Sequence, residues 1–110
     1  MIDGTRIKKK LDEEAFHHRL SLYNKDSIEC TQHSFFRFSE KQRQTFTCDF
    51  AKNFLMNNKP VLAGLQNNGH YAVFYECKDD KFMKIIITFI SDKIRVVTFY
   101  TIEKGQLPRL

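Results

Sequence analysis

Between residues 33 and 43 the chain reads His33-Ser34-Phe35-Phe36-Arg37-Phe38-Ser39-Glu40-Lys41-Gln42-Arg43, a stretch dense in groups that can handle a phosphodiester. Cleaving RNA without a metal needs a base for the 2′-hydroxyl, cations for the crowded phosphate and an acid for the leaving 5′-oxygen. His, Glu, Tyr, Lys and Arg suffice. His33 and Arg37 are four residues apart, and so are Arg37 and Lys41, so a helix would set all three in one polar stripe. Arg43 follows near the end of the segment. The simpler account makes this stripe the wet side of an amphipathic helix, with Phe35 and Phe38 on its dry side. His33 then caps a turn or satisfies a buried backbone group.

Further polar groups stand among apolar residues late in the chain: His70, Tyr71, Tyr75, Arg95, Thr98 and Tyr100. Arg95 must reach solvent, a carboxylate or a ligand phosphate, because an unpaired buried charge is expensive. Its place near the start of a strand, beside Lys93, favours a structural role. Tyr71 and Tyr100 offer acids or stacking platforms, although aromatic residues on strands usually pack. With Lys41, Arg95, Thr98 and Tyr71 as RNA contacts, the catalytic candidates are His33, Arg37, Arg43 and Tyr100. No spacing pairs a cysteine with a histidine for nucleophilic catalysis. The four glycines form no phosphate-cradling loop, which disfavours nucleotide hydrolysis.

Hydropathy patterning assigns the elements that must hold these groups. Residues 1–10 are polar and basic and read as a loose arm. Leu11, Ala15, Leu20 and Tyr23 recur at helical spacing through about Asn24, with Asp12, Glu13 and Glu14 where a helix dipole favours acids. A helix splays the neighbours His17 and His18 by about 100°, so they do not share a metal. Residues 27–31 read as a short extended piece and residues 33–43 as a helix or tight helical turn. Thr47 caps a second helix over residues 48–57, which Pro60 stops. From there the period becomes two. Strands are expected over residues 61–66, 70–77, 82–90 and 94–102. Asn67-Asn68-Gly69, Lys78-Asp79-Asp80-Lys81 and Ser91-Asp92-Lys93 are the turns between them. Residues 103–110 read as a tail. The expected fold is α+β: N-terminal helices packed on a four-stranded antiparallel sheet, with the sheet's other face partly open to a ligand.

A chain of 110 residues makes one domain and one core, built here on eleven Phe and no Trp. The net charge of +5 suits a polyanion, an acidic protein or an anionic surface. It also suits mere solubility. Cys30, Cys48 and Cys77 are an odd, scattered set that reads as structural thiols in a reducing cytoplasm, with no zinc spacing. There is no apolar signal core and no run long enough to span a bilayer, so a cytoplasmic protein without a membrane partner is expected.

The stretch His33-x-x-x-Arg37, followed by Arg43, a helix and a meander ending in Val96-Val97-Thr98-Phe99-Tyr100, resembles a family of small prokaryotic proteins grouped near the RelE/BrnT-like toxins. Those proteins open on a His-x-x-x-Arg-x-x-x-Arg motif and close on a Val-Thr-x-Tyr strand, and the similarity covers about residues 28–102. It implies the toxin of a type II toxin–antitoxin pair, a metal-independent endoribonuclease with no cofactor. Its partners would be RNA and a cognate antitoxin. By that resemblance His33, Arg37 and Arg43 carry over from the opening motif, and Thr98 and Tyr100 from the closing strand. The Arg37–Arg43 spacing is longer than the family's, and the segment before Ile28 is an extension. Two alternatives use the same residues: a non-catalytic nucleic-acid-binding module, and an interaction domain for an acidic partner. An exposed strand edge would also allow a homodimer.

Overall fold

The computed structural model describes residues 4–109. Its centre is the expected meander. Strands β3 (Leu62–Gln66), β4 (Tyr71–Glu76), β5 (Lys81–Ile90) and β6 (Lys93–Glu103) pair antiparallel in sequence order. Their turns follow the local chemistry. Gly69 has φ of 88°, and Asp79 and Asp80 have φ of 61° and 59°, the left-handed pair that a tight hairpin needs.

The sheet is larger than four strands and is not purely antiparallel. Among the described residues its six strands run β1-β3-β4-β5-β6-β2. Strand β1 (Ile7–Leu11) pairs antiparallel with β3, and β2 (Ile28–Cys30) pairs parallel with β6. The end of the basic arm expected over residues 1–10 is therefore sheet edge from Ile7 onward; residues 1–3 lie outside the described residues. Lys8, Lys9 and Lys10 are all exposed, so β1 shows no alternation in its sequence. Its anchor is Ile7, which packs over Gly64. A Cβ on Gly64 would lie 2.5 Å from the Ile7 Cγ2.

Helices α1 (Glu13–Ser21) and α3 (Cys48–Asn57) cover one face of the sheet. Asp12 caps α1 by accepting from Ala15 N–H, and Thr47 caps α3 by accepting from Phe50 N–H. Phe16, Leu20, Ala51 and Leu55 pack there against Val73, Tyr75, Met83, Ile85, Ile87, Val96 and Phe99. The opposite face carries a smaller cluster of Ala72, Phe74, Ile86 and Ile102.

Residues 33–43 do not form one helix. A 3₁₀ turn covers Gln32–Phe35, the chain straightens, and a one-turn helix α2 spans Glu40–Arg43 from its own cap at Ser39. The polar stripe of His33, Arg37 and Lys41 is thus broken, because Ser39 starts a new helix between Arg37 and Lys41. The cysteines also depart from expectation. Cys30 and Cys48 are disulfide-bonded with Cα atoms 5.9 Å apart, and Cys77 alone is free. That bond ties β2 to the start of α3 and closes a loop around residues 33–43. No helix among the described residues is long and apolar enough to cross a membrane.

Candidate functional site

The segment after β2 is held against β6 by its own side chains. Ser34 is fully buried; its hydroxyl donates to the Val96 carbonyl and accepts from Thr31 N–H. The rings of Phe35 and Phe38 lie 5.6 and 5.0 Å from that of Phe99. Arg43 reaches back and donates to the carbonyls of Phe35 and Phe38 at 3.0–3.2 Å. These contacts point His33, Phe36 and Arg37 over the face of the sheet that α1 and α3 leave uncovered.

There they close a cleft of about 260 Å³, with a lining that includes His33, Arg37, Gln66, His70, Lys84, Thr98 and Tyr100. Sheet register explains the set. Lys84 pairs with Tyr100 and Ile86 with Thr98, so these side chains share one face. The register slips between Ile86 and Ile87, which leaves Val97 as an extra residue in β6. Such a bulge re-aims side chains, and Val97 and Thr98 both line the cleft.

Tyr100 lies between two cations. The Arg37 guanidinium is 4.1 Å from its ring centroid and the Lys84 ammonium 5.5 Å. The His33 ring stacks on Phe36 at 4.6 Å, and Phe36 is 51% exposed, a flat aromatic surface at the cleft mouth. Among the described residues the lining contains two cations and two histidines but no carboxylate. Such a lining attracts an anion.

The cleft also contains polar atoms with nothing to bond. Gln66 is 1% exposed, yet both its amide nitrogen and its amide oxygen lack a partner among the described residues. The hydroxyl of Thr98, also buried, is in the same state. Each such atom costs about 1–3 kcal/mol of folding free energy.

Of the residues singled out in the sequence, His33, Arg37, Thr98 and Tyr100 converge on this cleft. The others do not line it. Arg43 spends its guanidinium on backbone carbonyls. Lys41 is exposed on α2. Arg95 pairs at 3.1 Å with Glu29, its register partner on β2. Tyr71 points to the helix side, against Phe16 and Phe89 at 5.5 and 5.2 Å. No family model, curated protein or solved structure matches this chain. The resemblance to RelE/BrnT-like toxins therefore stands on its short motifs alone.

Lys84 and Gln66 were not site candidates in the sequence, and His70 was named there only as a further polar group. Lys84 had a visible signal, a lone cation inside the apolar run of residues 82–90. His70 stands on the same side of its strand as Ala72 and Phe74, the side that proves open. Gln66 had no signal, because its burial depends on Ile7 of a strand that the lysines disguise. No group of three or more His, Cys, Asp or Glu among the described residues is arranged to hold a metal ion.

Proposed function

We propose that the protein is a metal-independent endoribonuclease, the toxin of a type II toxin–antitoxin pair, acting on single-stranded RNA in the cytoplasm. The observation that carries this reading is the cleft lining: two histidines, an arginine and a lysine packed on one tyrosine, and no carboxylate among the described residues. One imidazole, from His33 or His70, takes the 2′-hydroxyl proton. The 2′-oxygen attacks phosphorus, the bond to the 5′-oxygen breaks, and the other imidazole protonates that oxygen. The products are a 2′,3′-cyclic phosphate and a 5′-hydroxyl. Arg37 and Lys84 hold the phosphate as negative charge builds on it. Tyr100 orients both cations through its ring, and Arg43 supports the loop that carries His33. A cognate antitoxin would present an acidic segment to this cleft.

The test is cleavage of single-stranded RNA by purified protein in chelator, beside His33→Ala, His70→Ala and Arg37→Ala. Loss of either imidazole should slow cleavage by about 10²–10⁴-fold. Induced expression of wild type should arrest growth, and these variants should relieve it. Intact RNA with folded wild-type protein would sink the nuclease reading. The stacked, exposed Phe36 supports the runner-up, a binding module without catalysis. In that case RNA binds, stays whole, and His33→Ala leaves its affinity unchanged.

A further inference from the structure

Gln66 is a buried amide facing a cleft, with a free donor and a free acceptor side by side. Neither structural duty accounts for it. It caps no helix, and its side chain bridges no strands among the described residues. The sheet also sets it away from the cations. Gln66 N–H donates to the His70 carbonyl, one residue beyond the Tyr71–Ile87 pairing, so Gln66 stands level with Thr88. Thr88 is four residues along β5 from Lys84, about 13 Å of strand. The cleft therefore has a cationic end at Arg37, Lys84 and Tyr100 and an amide end at Gln66.

Resting on the RNA reading above, we propose that the Gln66 end is a nucleobase-reading subsite: the Gln66 amide hydrogen-bonds the edge of one unpaired base while Arg37 and Lys84 hold the neighbouring phosphate. A base edge offers what the amide lacks, a donor beside an acceptor, and glutamine pairs with such edges in a bidentate manner. Single-stranded RNA can supply the base, because its nucleotides splay out and insert singly. Ile86 and Val97 supply apolar wall for its faces. A cleft of about 260 Å³ suits one nucleotide and not a stacked duplex. The enzyme thus cuts beside a preferred base.

The experiment maps cut sites in a randomised single-stranded RNA pool for wild type, Gln66→Leu and Gln66→Glu. Wild type should favour one base at a fixed position beside the cut by about 10- to 100-fold. Gln66→Leu should flatten that preference to within about threefold, and Gln66→Glu should change which base is favoured, because a carboxylate only accepts. Melting curves establish that each variant is folded. A wild type without base preference, or a Gln66→Leu protein that keeps it, overturns the subsite. A second readout does not need cleavage: the side-chain amide resonances of Gln66, assigned by their loss in Gln66→Leu. They are followed during titration with 2′-O-methyl dinucleotides of each base. If RNA is never cut but these resonances move with one base and not the others, the subsite stands and the nuclease reading falls. If they do not move, the amide binds ordered water only and the proposal falls whether or not RNA is cut.

Discussion

Tyr75 carries a hydroxyl that the fold gives nothing to bond. It is fully buried in the helix-side core, its ring 5.4 Å from that of Phe54, and its oxygen has no partner among the described residues. Burial pushes its phenol well above the ordinary tyrosine range. Tyr75→Phe keeps the ring and removes the orphan oxygen. It should raise stability by about 1 kcal/mol in urea titrations at pH 7. The pH dependence has a definite sign. A tyrosine whose folded pKa is raised contributes its full stability below the unfolded pKa of about 10. That contribution is lost as pH climbs further, because the unfolded chain can release the proton and the folded one cannot. Wild type should weaken between pH 9 and pH 11 more than Tyr75→Phe does, on the pH range set by that unfolded value. A less stable Tyr75→Phe at pH 7 would mean that the hydroxyl has a bound water. Other residues were legible to different degrees. Period two over residues 70–77 sets Tyr71 and Tyr75 on one side and His70 on the other. Arg43 was read as a phosphate ligand because a spacing motif does not show the carbonyls of Phe35 and Phe38 waiting for it.

At the scale of elements, strong local signals survived and weak ones did not. Helix α3 stands where Thr47 and Pro60 place it, since a cap and a stop act within one turn of chain. Strand β1 escaped notice, and β2 was read as an extended piece but not as part of the sheet, each for a physical reason. The first is exposed at its three lysines, and the second is three residues long and defined by a partner some 66 residues away in sequence. The disulfide was hidden by the odd cysteine count, which does not reveal that two of three residues meet. It closes a span of 18 residues around the segment that carries His33 and Arg37. In the chain-entropy account, such a closure is worth about 3 kcal/mol. Cys48→Ser should lose roughly that amount in urea titrations, and wild type should lose the same on adding dithiothreitol. Equal stability with and without reductant would show that the bond does not form in solution. In a reducing cytoplasm the pair is held as thiols. Ser34 and Arg43 then remain as polar ties on the site loop, so cleavage by the reduced protein should be slower and not absent.

For the whole molecule the net charge of +5 is a weak statement until the fold distributes it. Charge on Lys8, Lys9 and Lys10 lies along an exposed sheet edge, and some of the rest is neutralised in pairs such as Lys59–Glu14 and Lys25–Asp49. Arg37 and Lys84 differ in facing a concave lining without a carboxylate among the described residues. The affinity of a single-stranded RNA falls with salt at a slope of about −0.7 per phosphate neutralised, on logarithmic axes. Arg37→Ala and Lys84→Ala should each weaken binding of an uncleavable 2′-O-methyl RNA and flatten that slope by about 0.7. Arg43→Ala is the informative contrast. Its guanidinium is engaged with the backbone of the site loop, so its loss should lower the melting temperature and leave the slope unchanged. Lys52→Ala, on helix α3 across the sheet, should change neither. If all four substitutions flatten the slope equally, RNA is bound by diffuse surface charge. The order of arginines in the opening motif would then say nothing about the cleft.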